Sequence, residues 1–236
     1  MVVKMYNNEI QSIYDKEAVS YDSKYMDKIH LIEDKIIGMI IRSAIWPTIF
    51  NQKILDIGCG TGHVIDLAGL KPRNYHGIDI SEKSIEEAQR KFPDHSFQAI
   101  DVTESSSRTK SDLALFIYGQ VNYIGIKEFI KIIQTSLKIN QTKSRFMAVL
   151  YCGDGHEDYS YTKGYQTYYK PSEIKKAFND FSDYEPYING FSWIDEGDDL
   201  QKQLIKTVTT PIEDGDEYKC KYLIVSNLEV LKNANN

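Results

Sequence analysis

The residues best placed to do chemistry are an acid followed by closely spaced glycines, Asp56-Ile57-Gly58-Cys59-Gly60-Thr61-Gly62. They follow a short apolar run, Lys53 to Ile57, and precede Val64, Ile65, Leu67 and Ala68 at helical spacing. A strand that ends in glycines and opens a helix is a cradle for a polar or anionic ligand. Glycine lets the backbone come close, and the helix start offers N–H groups and the positive end of its dipole. Spacing separates the ligand classes. Dinucleotide sites use Gly-x-Gly-x-x-Gly; Gly58 and Gly60 fit, but position 63 is His. A mononucleotide P-loop needs Gly-Lys-Ser/Thr after four variable residues, and no such run occurs.

Two further acids end apolar runs. Asp79 closes Tyr75-His76-Gly77-Ile78-Asp79, where a carboxylate can take both hydroxyls of a ribose as a two-acceptor clamp. That role fits NAD equally well. Asp101 stands in Ile100-Asp101-Val102, and its plain alternative is a strand-end Asp capping the next turn.

These positions need a scaffold. Ile29, Ile32, Ile36, Ile37, Ile40 and Ile41 recur at helical spacing, with Pro47 ending the run. Strands are expected over 53–57, 75–79, 96–100, 112–117 and 145–151. Between them lie a helix ending near Gly69, one capped by Ser81 and reaching about Lys91, and one over 125–138. Such alternation predicts a parallel sheet covered on both faces. After Cys152 the rhythm changes to a short helix from Pro171 and strands near 186–193, 201–209 and 219–226.

Asp-x-Gly-x-Gly-x-Gly after the first strand resembles motif I of the class I S-adenosylmethionine-dependent methyltransferases. The resemblance implies a seven-stranded, mainly parallel Rossmann-like methyltransferase sheet with helices on both faces. It implies S-adenosylmethionine as cofactor, held by Asp56, Gly58, Cys59 and Gly60 in the loop. Asp79 would take the ribose, Ile80 would lie on the adenine, and Asp101 with Val102 would meet the adenine edge. Tyr118-Gly119-Gln120-Val121-Asn122-Tyr123 stands where nucleobase and glutamine-amide methyltransferases carry Asn/Asp-Pro-Pro-Tyr/Phe. It looks more like the small-molecule branch, with Tyr118 and Gln120 near the methionine end. Tyr14-Asp15-Lys16-Glu17-Ala18-Val19-Ser20-Tyr21-Asp22 resembles the Tyr-Asp-x-x-Ala-x-x-Tyr-Asp entry of that branch. Tyr14 and Tyr21 lie seven apart, about two helical turns, and are expected on one face. In the family such tyrosines close over the methionine end; packing residues are the other reading.

The expected reaction is N- or O-methylation of a small molecule by in-line displacement, with Tyr21 beside the methyl. A base is needed only if the acceptor must lose a proton. His156, after the fifth strand, is the expected base; an exposed loop histidine is its alternative. His63 reads as local packing or a polar contact. Asp154, His156, Glu157 and Asp158 match no strong metal motif, so no metal is expected.

The chain's 236 residues suit one domain with an elaboration. The expected division is a helical cover over 1–50 and a core over 51–236, with acceptor-side loops at 152–170 and 194–217. Net charge is −6 and no Lys/Arg stripe occurs, which disfavours nucleic acid as partner. Acidic runs at 195–199 and 213–217 are solvated loops or a rim attracting a cationic amine. The 3 cysteines form neither a disulfide framework nor a zinc pattern. Charges interrupt the most apolar stretch, 31–50, so no membrane span is expected, and the cytoplasm is the expected compartment. A non-catalytic cofactor-binding relative, a protein or tRNA methyltransferase and a nicotinamide oxidoreductase are the alternatives.

Overall fold

Strict alternation in two central strands organises the molecule. In β4 (Leu113–Phe116) Leu113 and Leu115 face one side, Ala114 and Phe116 the other. In β5 (Arg145–Tyr151) Met147 and Val149 oppose Phe146, Ala148 and Leu150 in the same way. All nine of these residues are fully buried, so the sheet must be covered on both faces. The computed structural model describes residues 2–45, 52–103, 111–136, 145–151, 166–182, 185–191, 210–211 and 222–228.

The remaining strands are β1 (Ile54–Ile57), β2 (Tyr75–Asp79), β3 (Ser96–Ala99), β6 (Tyr187–Phe191), β7 (Thr210–Pro211) and β8 (Tyr222–Ser226). Their order across the sheet is β3-β2-β1-β4-β5-β8-β6-β7. From β3 to β5 every pairing is parallel, whereas β8 runs antiparallel to both β5 and β6. The expected mainly parallel sheet is present, with the two-residue β7 added at its edge. The expected strand at 201–209 lies outside the described residues.

Helices α1 (Val2–Glu17), α2 (Tyr21–Lys24) and α3 (Lys28–Ile45) precede β1. They are followed by α4 (His63–Ala68), α5 (Glu82–Lys91), α6 (Gln120–Ile124), α7 (Ile126–Ser136) and α8 (Pro171–Phe181). The isoleucine stripe of α3 packs with Val64 and Ile65 of α4 on one face of the sheet. On the other face Phe129 of α7 and Phe178 of α8 join Phe116 and Phe146 in edge-to-face and stacked contacts. Local signals set the helix ends as expected. The Ser81 hydroxyl accepts from the Ser84 N–H, and Gly69 closes α4 in the left-handed conformation. Sequence reading missed α6, a five-residue helix. No helix among the described residues is long and apolar enough to cross a membrane.

One close approach sets the position of the cover. Gly38 of α3 lies against α4, where a Cβ would stand 2.7 Å from the Leu67 carbonyl oxygen. The Arg42 guanidinium donates to that same oxygen. Because the obstacle is backbone, a side chain at position 38 must push the two helices apart. Gly38→Val is therefore expected to destabilise the fold by about 1–3 kcal/mol, the usual range for overpacking, as read from urea melts.

Candidate active site

The parallel strands deliver their carboxyl ends to one edge, and the order β3-β2-β1-β4 sets which side chains meet there. The reversal of strand order lies between β1 and β4, the place where open α/β sheets leave a crevice. A cavity of about 390 Å³ occupies it. Tyr14, Tyr21, Gly58, Cys59, Gly60, Asp79, Ile80, Asp101, Val102, Tyr118 and Gln120 all line it.

Asp79 is built into the glycine loop. One carboxylate oxygen accepts from the Gly60 N–H at 2.8 Å and the other from the Ser81 N–H at 2.8 Å. Each oxygen keeps a second lone pair for a ligand. Burial raises the Asp79 pKa, against the pull of the Ser81, Gly60 and Ile80 N–H groups. Gly58 and Gly60 both have positive φ, 74° and 52°. A Cβ on Gly58 would overlap the Gln120 side chain, whereas above Gly60 the space is open. On β3's side, Asp101 accepts from the Thr103 N–H at 2.9 Å and from Asn7 Nδ2 at 2.6 Å. Asp101 thus caps the following turn, the plain alternative for it, while still facing the cavity.

Asp56 is placed differently from the other loop residues. Its side chain is buried and accepts from the Tyr75 hydroxyl at 2.8 Å, and it does not line the cavity. It braces β1 against β2 from below the loop. Cys59 is a free, buried thiol pushed well up by burial and by the Asp79 and Asp56 charges, so it stays neutral. His156 lies outside the described residues, as do the acidic runs at 195–199 and 213–217.

The two Tyr-Asp pairs divide their work. Tyr14 and Tyr21 meet with ring centroids 6.0 Å apart, yet they do not share a helix face. A turn at 18–20 ends α1, and Tyr21 begins α2, so the chain folds back where the spacing argument assumed continuity. The Tyr14 hydroxyl donates to that of Tyr123 at 2.9 Å, and Gln166 donates to the same oxygen at 2.6 Å. The two aspartates latch the cover to the core. Asp15 accepts from the Ser81 hydroxyl at 2.7 Å. Asp22 accepts from Thr61 at 2.6 Å and pairs with Lys91 at 2.7 Å. Burial works to raise the Asp22 pKa, but the Lys91 and Thr61 hydrogen bonds and the Lys91 and His63 charges together hold it below the ordinary carboxylate value.

A second cluster went unread in the sequence. Asp34 of α3 lies among the isoleucines and is buried. One of its oxygens pairs with His63 Nε2 at 2.9 Å, and the other accepts from the Tyr118 hydroxyl. Tyr118 is a non-glycine residue at φ 57° among the described residues. Burial and the Asp34 charge push its phenol well up, so it remains a donor. Beside Asp34, Glu33 accepts from the Tyr222 hydroxyl. The available signal was the presence of Glu33 and Asp34 on the apolar face of an otherwise isoleucine stripe.

Comparison with known proteins agrees with this geometry. Residues 54–140 match the family model described as a methyltransferase domain. No curated protein matches the sequence. A magnesium protoporphyrin IX methyltransferase from Synechocystis PCC 6803, solved with S-adenosylhomocysteine, is similar with a TM-score of 0.58 at 16% identity, covering 94% of this chain and 98% of that one. An S-adenosylmethionine-dependent methyltransferase of Thermotoga maritima, described as a possible histamine N-methyltransferase, has a TM-score of 0.62 at 11% identity over 91% of this chain and 97% of its own. One from Leishmania major reaches 0.58 at 16% identity, over 94% of this chain and 82% of its own. At these identities the likeness is one of fold. The matched domain and the shared architecture make this a chain of the class I methyltransferase fold.

Asp56 yields a test of the site's foundation. Burial pushes its carboxyl up to about 7, from an unfolded value near 3.8, with the Asp79 charge adding to the rise and Tyr75 opposing it. The folded state therefore holds a proton that the unfolded state releases, and stability falls as pH rises between the two values. Asp56→Asn keeps an acceptor for Tyr75 and removes this loss. Its melting temperature is expected to exceed that of the wild type at about pH 8 and to converge with it near about pH 4, as read by thermal unfolding.

Proposed function

We propose that the chain transfers a methyl group from S-adenosylmethionine to a small-molecule acceptor. The observation that carries this reading is the sequence of acceptors and tyrosines along one sheet edge: Asp101, Asp79, the glycine loop, then Tyr118. Neighbouring strands are about 4.8 Å apart, so this edge runs roughly 14 Å from β3 to β4, long enough for an extended nucleoside joined to an amino acid. The residues fit such a group. Asp79 presents two lone pairs at the middle of the edge, and the space over Gly60 is open. Ile80 and Val102 supply apolar walls beside Asp101.

Asp79 would hold the ribose hydroxyls, Ile80 would lie on the adenine, and Asp101 with Val102 would meet the adenine edge. Gly58, Cys59, Gly60 and Gln120 would shape the floor under the chain that follows. S-adenosylmethionine supplies a methyl on a positively charged sulfur, which is already an activated leaving group. The protein's task is then alignment and exclusion of water, and good alignment is worth on the order of 7 kcal/mol or more. Tyr14, Tyr21 and Tyr118 are placed to do this at the β4 end, with Tyr14 held by Tyr123. Residues 1–50 serve as the cover and 51–236 as the core. The net charge of −6 disfavours a nucleic acid as acceptor.

Calorimetry with S-adenosylmethionine and S-adenosylhomocysteine tests the reading directly; no heat at millimolar ligand would end it. Asp79→Ala removes two charge-assisted acceptors, each worth about 1.5–3 kcal/mol, and is expected to weaken binding by at least about 100-fold. An unchanged affinity would remove the ribose assignment.

A further inference from the structure

Three groups from separate elements converge at the β4 end of the cavity: Asp34 from α3, His63 from the first turn of α4, and Tyr118 after β4. The Asp34 carboxylate takes His63 Nε2 on one oxygen at 2.9 Å and the Tyr118 hydroxyl on the other. A carboxylate accepts only, so this contact requires a proton on Nε2, and in the neutral form of the ring Nδ1 is the unprotonated nitrogen. Nδ1 is then left with its lone pair. The Asp34 side chain is 11% exposed and that of His63 39%, so the orienting group is buried and the base is reachable. Tyr118 is held in a left-handed conformation that costs a non-glycine residue energy, and its hydroxyl reaches Asp34 from there. A buried carboxylate that sets the tautomer of a reachable imidazole is the arrangement of a general base.

Charge indicates what the base meets. Apart from Asp79 and Asp101, which the cofactor would take, the cavity is lined by Asp22, Glu33, Asp34 and Asp66 against Lys91 as the only lysine or arginine among the described lining residues. Lys91 is engaged by Asp22. The field therefore favours a cation and opposes an anion. An aliphatic amine is such a cation at neutral pH, since its pKa lies near 10.4. In that form its lone pair carries a proton and cannot attack.

We propose that His63 is the base for an acceptor that arrives as a protonated amine, with Asp34 as its positioning residue. The inference rests on the methyl-transfer reading above. The ammonium N–H proton passes to Nδ1 of His63, the amine keeps the electron pair of that bond, and the imidazolium is held by Asp34. The proton returns to solvent after the product leaves. His63 thus takes the role first expected of His156.

The titratable groups around His63 include Asp22 from α2, His30, Glu33 and Asp34 from α3, Asp56 from β1, Asp66 from its own helix, Lys91 from α5 and Tyr118. Asp56 titrates at about 7, so the pH test needs a variant of His63 itself as control. The experiment uses the full chain saturated with S-adenosylhomocysteine, with phenethylamine and its carboxylate counterpart 3-phenylpropanoate as probes. By calorimetry the amine is expected to bind at least about ten-fold tighter than the carboxylate. Its affinity is expected to drop when the pH is lowered from about 7.5 to about 5.5, because a protonated imidazole would repel it. His63→Gln is expected to flatten that slope while S-adenosylhomocysteine affinity stays within about two-fold. Nitrogen NMR of the wild-type ring is expected to show Nε2–H and an unprotonated Nδ1. Equal binding of the two probes, a slope that survives in His63→Gln, or an Nδ1–H wild-type ring would each overturn the proposal. Failure of S-adenosylhomocysteine to bind the wild type would overturn the methyl-transfer reading and the proposal together, and is a separate result.

Discussion

The site depends on the parallel pairing of β1, β2, β3 and β4. Parallel strands need crossover connections, so their carboxyl ends all emerge on one edge. Asp79, the glycine loop, Asp101 and Tyr118 come from four different crossovers, yet this rule alone brings them into line. The reversal of order between β1 and β4 then parts the crossovers to opposite faces and opens the crevice between them. Nothing in the loops themselves needs to be long. The loop after β1 turns within five residues and the chain after β4 turns within three before α6 begins.

A crevice of this kind is half a site, and the N-terminal helices close it at an electrostatic cost. Burying a carboxylate without partners costs several kcal/mol, and truncating one partner of a buried pair leaves that cost exposed. Four acids of the cover meet donors from the core. Asp15 meets Ser81, Asp22 meets Thr61 and Lys91, Glu33 meets Tyr222, and Asp34 meets His63 and Tyr118. The cover is therefore attached by specific charge–dipole contacts as well as by the isoleucines of α3. Those contacts fix its register: sliding α3 by one residue would strand two carboxylates in an apolar interface. Precise placement of Tyr14 and Tyr21 follows from that registration more than from their own packing.

Much of this was legible from the sequence, for identifiable reasons. The strand–glycine–helix pattern, the Ser81 cap and the Gly69 terminus are local signals, and local signals survive folding unchanged. Tyr14 and Tyr21 were rightly paired by motif but on a wrong geometric ground, since the turn at 18–20 carries no Gly or Pro to announce it. Asp56 belongs to the motif, but the pleat turns its side chain beneath the sheet toward Tyr75, a contact 19 residues away in sequence. The Asp34–His63 pair, 29 residues apart, is a product of the α3–α4 crossing at Gly38. No spacing rule reaches that far. Glu33 and Asp34 registered only as interruptions of an apolar stretch, when their position on its buried face was itself the clue.

Cover and core are also joined through α6. Tyr14 reaches Tyr123 of α6, and Tyr123 accepts from Gln166, whose side-chain oxygen accepts from Tyr168. Asn122, fully buried next to Tyr123, donates to the carbonyls of Tyr151 and Thr167 and accepts from the Tyr151 N–H. The cover is thus joined through α6 to the end of β5 and to the segment at 166–169 by one continuous set of satisfied polar groups. A buried network of this kind is stabilising only while every member is paired. The Tyr14–Tyr123 contact is the single hydroxyl–hydroxyl link in the set. The others are anchored on backbone or amide groups. Besides this phenol pair, α1 and α2 are tied to the core by the Asn7 contact to Asp101 and by the Asp15 and Asp22 latches, none of which involves the Asn122 clamp.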